Sequence, residues 1–151
     1  MRALLLALAL AIGLAPAALS QTTYHVDPAG DDGDPGTAAE PWRTVTRAAS
    51  ASEVRPGDIV LVHAGEYRQR MRIEVSGQLG RPVTFRAAPG EAVMLDGRGL
   101  MPDYEGLVTI IDQSHVVVEG FEIRNYETEI DTVETIGIYV AGTGRGITLR
   151  D

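Results

Sequence analysis

Four acidic residues crowd the stretch Asp27-Pro28-Ala29-Gly30-Asp31-Asp32-Gly33-Asp34. Asp31, Asp32 and Asp34, with Asp27 before them, supply the hard oxygen donors that calcium takes, on a Gly-rich segment able to curl around an ion. The set lacks the bidentate Glu and regular spacing of an EF-hand, and Asp and Gly are ordinary turn residues, so a plain capping loop is the competing reading. A second acidic set, Glu127, Glu129 and Asp131 with Glu134 beyond it, follows Arg124 and Tyr126. These acids are further candidate calcium ligands, the Arg124 guanidinium a partner for a carboxylate, and the Tyr126 ring a platform for a sugar. Solvated acidic loops and outward side chains are the alternatives.

Other chemistry finds less support. His25, His63 and His115 are dispersed along the chain, without the i, i+4 spacing of a zinc enzyme, and read as surface or packing residues. Gly142-Thr143-Gly144-Arg145-Gly146 leads into a strand, whereas a phosphate loop leads into a helix, so it reads as a turn. No Ser stands in a nucleophile-elbow pattern. The chain carries 13 basic residues against 21 acidic ones, and every basic residue is Arg. That balance disfavours nucleic acid and anionic lipid as partners, because no basic patch offsets phosphate repulsion.

The elements that must hold these residues are short. Ile59–Val62, Ile73–Val75, Val83–Arg86, Val93–Leu95, Leu107–Ile111, Val116–Ile123, Ile136–Val140 and Ile147–Arg150 are β-branched runs punctuated by Gly, Pro, Asp or Asn. Spacers between them are too short for the helix that a doubly wound sheet needs after each strand. The run Leu107-Val108-Thr109-Ile110 with His115–Glu119 is echoed by Gly137–Val140 with Gly146–Arg150, an offset of 30 to 31 residues. Ile59, Val83 and Val108 recur 24 and then 25 residues apart, and all these spacings suit stacked coils of a solenoid. A sandwich of hairpins is the alternative, but Asp96-Gly97 is its only tight-turn signal.

Alternation within the runs predicts which side chains point inward: Val83, Phe85, Val93, Leu95, Val108, Ile110, Val116, Val118, Phe121, Ile123, Ile136, Ile138, Ile147 and Leu149. Thr84, Thr109, Glu122, Tyr139, Thr148 and Arg150 are expected to point out.

Residues 1–20 read as a signal peptide: Arg2, an apolar run Ala3–Ala15, then small residues Ala18 and Ser20 at a cleavage point. The run is short for a bilayer span, so after its removal no membrane contact is expected. Export permits disulfides, yet the chain has no Cys, so packing or bound ions must stabilise it. Residues 21–57 read as a cap: a brief strand Tyr24-His25-Val26, the acidic loop, and a short helix N-capped by Thr44, running through Val45, Ala48 and Ala49 toward Glu53 and ended by Pro56-Gly57. A solenoid exposes the apolar cross-section of its first coil, so a cover is physically required, and Trp42 is expected to help form it. Residues 58–151 are the coils.

The strings Tyr24-His25-Val26-Asp27-Pro28, Asp34-Pro35-Gly36-Thr37 and Pro41-Trp42-Arg43-Thr44 resemble the opening of secreted β-helix proteins grouped around family 9 polysaccharide lyases. Arg55-Pro56-Gly57-Asp58-Ile59-Val60-Leu61-Val62, Ala64-Gly65-Glu66-Tyr67, Gly80-Arg81-Pro82-Val83-Thr84 and Leu95-Asp96-Gly97 continue the likeness. Val116–Asn125 is similar to the coil motif of that group and of chondroitinase-B-like lyases. The resemblance implies an all-β, right-handed parallel β-helix with a short N-terminal capping helix, secreted and monomeric when complete. It further implies a calcium-assisted β-elimination on an extracellular, uronate-containing polysaccharide. Such enzymes use a Lys base, and this chain has no Lys, so no catalytic position is carried over. The chain stops at Asp151 in the middle of a coil motif and is expected to be cut short there. Glycoside hydrolysis, uronate epimerisation and non-catalytic glycan adhesion on the same scaffold remain open.

Overall fold

The computed structural model describes residues 20–102, 105–127 and 134–151. Eleven described strands and one helix follow one another as β1 (Thr23–Val26), α1 (Val45–Ala49), β2 (Ile59–Val62), β3 (Gly65–Tyr67), β4 (Met71–Ile73), β5 (Val83–Ala87), β6 (Val93–Asp96), β7 (Gly106–Ile111), β8 (Val116–Glu119), β9 (Phe121–Arg124), β10 (Ile136–Ala141) and β11 (Thr148–Arg150). They form a long sheet in the order β1-β2-β5-β8-β11 and two shorter ones, β3-β6-β9 and β4-β7-β10. Every pairing between these strands is parallel. The chain visits the three sheets in turn, so β2-β3-β4, β5-β6-β7 and β8-β9-β10 are successive coils.

Three strands per coil explain one misleading spacing in the sequence. Ile59 pairs with Thr84, so the 24-residue step falls one position short of a true coil, whereas Val108 pairs with Met71 in a different sheet, so the 25-residue step from Val83 joins runs from different faces of the solenoid. The longer offset is a true coil: Val108 meets Ile138 and Val118 meets Leu149. The run Val116–Ile123 is also two strands, because Gly120 turns the chain between sheets at φ 76°. A Cβ on Gly120 would lie 3.0 Å from the Ala87 Cβ, so both conformation and space favour Gly there.

Inward rows stack coil on coil, as in Val60–Phe85–Val118 and Met71–Val108–Ile138. Val83, Phe85, Val93, Leu95, Val108, Ile110, Val116 and Val118 are buried as expected. Phe121, Ile123, Ile136, Ile138 and Ile147 are only partly buried, and Leu149 is exposed, because they belong to the last described coils. Glu122, Thr148 and Arg150 lie exposed. Thr84 and Thr109 correct the outward set. Thr109 is 2% exposed: it lies in register between Arg72 and Tyr139, whose longer side chains cover it, and its hydroxyl donates to the Gly106 carbonyl at 3.0 Å. Thr84 is covered in the same way between Ile59 and Val117.

The cap forms as the sequence requires. Thr44 is extended and its hydroxyl accepts from the Arg47 amide at 3.0 Å, starting α1, whose Val45, Ala48 and Ala49 face the core. The helix ends at Ala49, short of the expected run toward Glu53, and turns carry the chain on to Pro56. Trp42 is fully buried, stacks on Tyr24 with centroids 4.9 Å apart, and donates its indole N–H to the Asp34 carbonyl at 2.8 Å. Burying such a side chain contributes about 1.5–3 kcal/mol or more from area alone.

Candidate functional site

The acidic loop serves its own backbone. Asp32 Oδ1 accepts from the amides of Arg43 and Thr44, both at 2.9 Å, and its Oδ2 from the Thr44 hydroxyl at 2.7 Å. Asp31 Oδ1 accepts from the Gly33 amide, Asp27 Oδ1 from the Ala29 amide, and Asp31 Oδ2 lies 3.8 Å from the Arg43 guanidinium. Asp34 contributes its main-chain carbonyl to Trp42. Among the described residues no three His, Asp or Glu side chains gather in a metal-holding group. Asp31, Asp32 and Asp34 therefore do not present the roughly six to eight converging oxygens that calcium takes. In the second acidic set Glu127 is exposed, as is Glu134, while Glu129 and Asp131 lie outside the described residues.

Arg124 ends β9 with its guanidinium half exposed and paired to Glu122. Tyr126, expected to offer its ring to a sugar, is instead 9% exposed and joins the core. Gly97 explains the difference: a Cβ there would fall 2.5 Å from the Tyr126 Cα, so the missing side chain lets the tyrosine pack down onto the preceding coil. The Arg70 guanidinium lies over the ring, 6.0 Å from its centroid.

Arg124 has neighbours that the sequence did not connect to it. Asp96 is in register with Arg124, and its carboxylate has no exposed surface. Its Oδ1 accepts from the Arg98 amide at 3.0 Å and the Asn125 side-chain amide at 3.1 Å, and its Oδ2 from Arg98 Nε at 2.6 Å, with Arg68 Nε 3.9 Å away. Hydrogen bonds from Arg98 hold the Asp96 carboxyl well below the usual carboxylate range, outweighing its burial. Asn125, at φ 53°, makes the tight corner that brings its side chain back to Asp96. Arg68, Arg98 and Arg124, one from each of three coils, thus project half-exposed guanidinium groups along one edge of the solenoid. Arg72 stands nearby on β4, paired with Glu74 and Glu105.

The outer face of the long sheet carries a second polar row, in which His25, Leu61, Arg86, Glu119 and Arg150 lie in register. Arg86 and Arg150 both pair with Glu119; burial raises the Glu119 pKa, but these two partners bring it below its ordinary value. Beside Arg86 a cleft of about 220 Å³ is lined by Gln21, Ile59, Arg81 and Thr84.

Parallel strands stacked in three sheets, closed at one end by a helix and a buried tryptophan, define a parallel β-helix, a scaffold whose outward rows are free to meet a ligand. The chain belongs to the Pel9A-like right-handed β-helix family, whose described region matches residues 24–149. It is 30% identical over 129 residues to the uncharacterized protein YwoF of Bacillus subtilis strain 168, covering 84% of this chain and 27% of that protein. It is 34% identical over 76 residues to an alpha-1,3-galactosidase A of Akkermansia muciniphila, covering 49% of this chain and 13% of that one. A solved rhamnogalacturonan lyase superposes with a TM-score of 0.57 at 24% identity, over 68% of this chain and 28% of the lyase. The chain thus spans about a quarter or less of the length of the curated relatives it matches. Among the described residues no helix is long and apolar enough to cross a membrane.

Proposed function

We propose that this chain is part of an exported, carbohydrate-active β-helix protein that cleaves a uronate-containing polysaccharide by β-elimination. The observation that carries this reading is the edge where Arg68, Arg98 and Arg124 stand on successive coils with half-exposed guanidinium groups. The protein carries a formal charge of −8, and on this edge Glu66, Asp96 and Glu122 pair with the three guanidinium groups, so an acidic polymer binds here by exchanging its carboxylates for the exposed partners Glu66 and Glu122. Guanidinium forks match carboxylates bidentately, and placing them on stacked coils repeats that match along a chain of acidic sugars. The Pel9A-like family and the cap motifs support the same reaction class. The second acidic set, begun by Glu127, keeps calcium within the proposal as a bridge between protein and polymer carboxylates.

Glycoside hydrolysis is the second reading, favoured by the likeness to an alpha-1,3-galactosidase. It requires two carboxylic acids facing one groove at a separation suited to inversion or retention. The test uses the full-length gene product on pectate, alginate and chondroitin, following ultraviolet absorbance and reducing ends together. Elimination leaves an unsaturated, absorbing sugar end, so both signals are expected to rise, to fall with a chelator and to return with calcium. Reducing ends without absorbance would favour the hydrolase. Binding with neither signal would leave a non-catalytic glycan-binding solenoid.

A further inference from the structure

Two tight turns stand side by side where the chain enters β2 and β5. In the first, the Asp58 amide donates to the Arg55 carbonyl at 3.0 Å, and the Asp58 carboxylate takes the Arg55 amide at 2.8 Å. In the second, Gln78 and Arg81 exchange both backbone hydrogen bonds, at 2.8 and 2.9 Å, around Gly80 at φ 75°. Ile59 in register with Thr84 fixes the two turns against each other. A Cβ on Gly57 would fall 2.8 Å from Arg81 Nη2 and 2.9 Å from its Nε, so the Arg81 guanidinium lies directly against the glycine backbone.

Arg81 thereby stands between two adjoining clefts. One is the cleft of about 220 Å³ beside Arg86, which Ile59, Pro82 and Thr84 help to line; the other, of about 410 Å³, is bordered by Ser20, Arg55, Pro56 and Gln78. No Asp or Glu among the described residues lines either one. The buried Asp58 carboxylate is taken up by the amides of Thr22 and Arg55, and Glu119 pairs with Arg86 from the next coil. Arg47, Arg68, Arg72, Arg98, Arg124 and Arg150 each meet a carboxylate. The guanidinium groups of Arg55 and Arg81 have no ion-pair partner among the described residues. On a chain with a formal charge of −8, two uncompensated guanidinium groups beside acid-free clefts concentrate positive potential at this corner.

We propose that the two clefts form a binding site for the carboxylate of an acidic sugar, with Arg81 as its central contact and Arg55 beside it. The guanidinium fork matches a carboxylate in geometry as well as charge. The rest of the larger surroundings suits a sugar better than a bare ion. Gln21 is held by its side-chain nitrogen, which donates to the Gly57 carbonyl at 2.7 Å, and its oxygen and the Thr84 hydroxyl have no hydrogen-bond partner among the described residues. Those two groups meet ring hydroxyls, while Ile59 and Pro82 offer apolar surface to a ring's C–H face.

This corner, between β4 and β5, is not the one after β3, β6 and β9 that carries Arg68, Arg98 and Arg124. The site breaks no bond and stands whichever reaction the protein performs: it holds an acidic glycan at a second point, away from that edge.

Nitrogen-15 spectra of the arginine Nε–H groups in the full chain, at pH 7 and low salt, test it by binding alone. The probes are methyl galacturonide, the neutral methyl galactoside and sodium sulfate; Arg81→Gln and Arg55→Gln assign the two signals by their disappearance. The Arg81 signal is expected to shift saturably with the galacturonide and to ignore the galactoside at the same concentration. In Arg81→Gln, half-saturation of the Arg55 signal should need about 10- to 100-fold more galacturonide, with the melting temperature unchanged. Arg124→Gln, on the other edge, should leave the Arg81 titration as it was. An Arg81 signal that does not saturate, that responds equally to the neutral sugar, or that is lost in Arg124→Gln would overturn the site. Saturation by sulfate without saturation by the galacturonide would overturn its assignment to a sugar. A protein that cleaves no uronate polymer yet shows the Arg81 titration loses the reaction reading and keeps this site.

Discussion

The first and last described coils of this solenoid differ in a way that residue type does not explain. One inward row runs Val60, Phe85, Val118, Leu149, with exposures of 0, 0, 4 and 44%. The first member is roofed by Tyr24 in register on β1, with Trp42 stacked on Tyr24, and the last has no described coil above it. Val140, in register with Ile110, is 46% exposed for the same reason. Burial here is a property of having a neighbour on both sides, as expected for a nearly one-dimensional fold.

The largest expected effect follows from removing the cover at the sealed end. Trp42→Ala should cost about 3–5 kcal/mol in denaturant unfolding, because it empties a fully buried site and also removes the stack on Tyr24. A loss near zero would mean that the cap does not seal the first coil.

Asp96 ranks next, since its removal leaves Arg98 and Asn125 facing a vacated corner. Its folded-state pKa is depressed, so its contribution is present above the unfolded carboxylate value of about 3.9 and is lost as pH falls below it. Asp96→Asn should lower the melting temperature at pH 7 and flatten the acid limb of the stability curve; an unchanged acid limb would exclude Asp96 as a source of that dependence. Thr44→Ala, which removes the helix N-cap, is expected to cost about 1 kcal/mol by the same denaturant measurement.

Within residues 20–151 the last described coil should respond least. Leu149→Ala is expected to cost about 1 kcal/mol or less, given its exposure. The same side chain, with Phe121, Ile123 and Ile138, lines an apolar hollow of about 200 Å³ at the last described coil. A fragment of residues 20–151 by itself leaves this hollow uncovered and is expected to self-associate in sedimentation experiments, and Leu149→Ser to weaken that association while barely moving the fragment's melting temperature. A large stability loss from Leu149 would erase the contrast between the ends.

The sequence reveals this fold where short-range patterns carry it. Thr44 followed by Val45, Ala48 and Ala49 specifies a capped helix, and alternation within Val83–Ala87 separates Phe85 from Arg86. What it hides are partnerships between coils, because loops of unequal length separate the rungs. His25 and His63 look dispersed until β1 and β2 are laid in register, when Val26 opposite Val62 brings the two rings together. Tyr126 reads as an outward ring because it follows the polar corner of Arg124 and Asn125; only the missing side chain of Gly97, one coil earlier, shows that there is room for it inside. Asp96-Gly97 looks like a hairpin turn, but its aspartate is the anchor of a corner between parallel strands. Local turn chemistry identifies such residues as special without saying what they face.

The parallel pairing of every strand also sets how the molecule would yield to force. Interstrand hydrogen bonds run from coil to coil, along the length of the solenoid, so tension applied in that direction pulls each rung straight apart and not in shear. Grasped at Thr23 and Arg150, the molecule should open as a zip, shedding one loop of slack at a time: the chain between Thr23 and Ile59, between Ile59 and Thr84, between Thr84 and Val117, and between Val117 and Thr148. A single-molecule trace would then show a staircase of unequal treads, whose lengths spell out the coil boundaries in order.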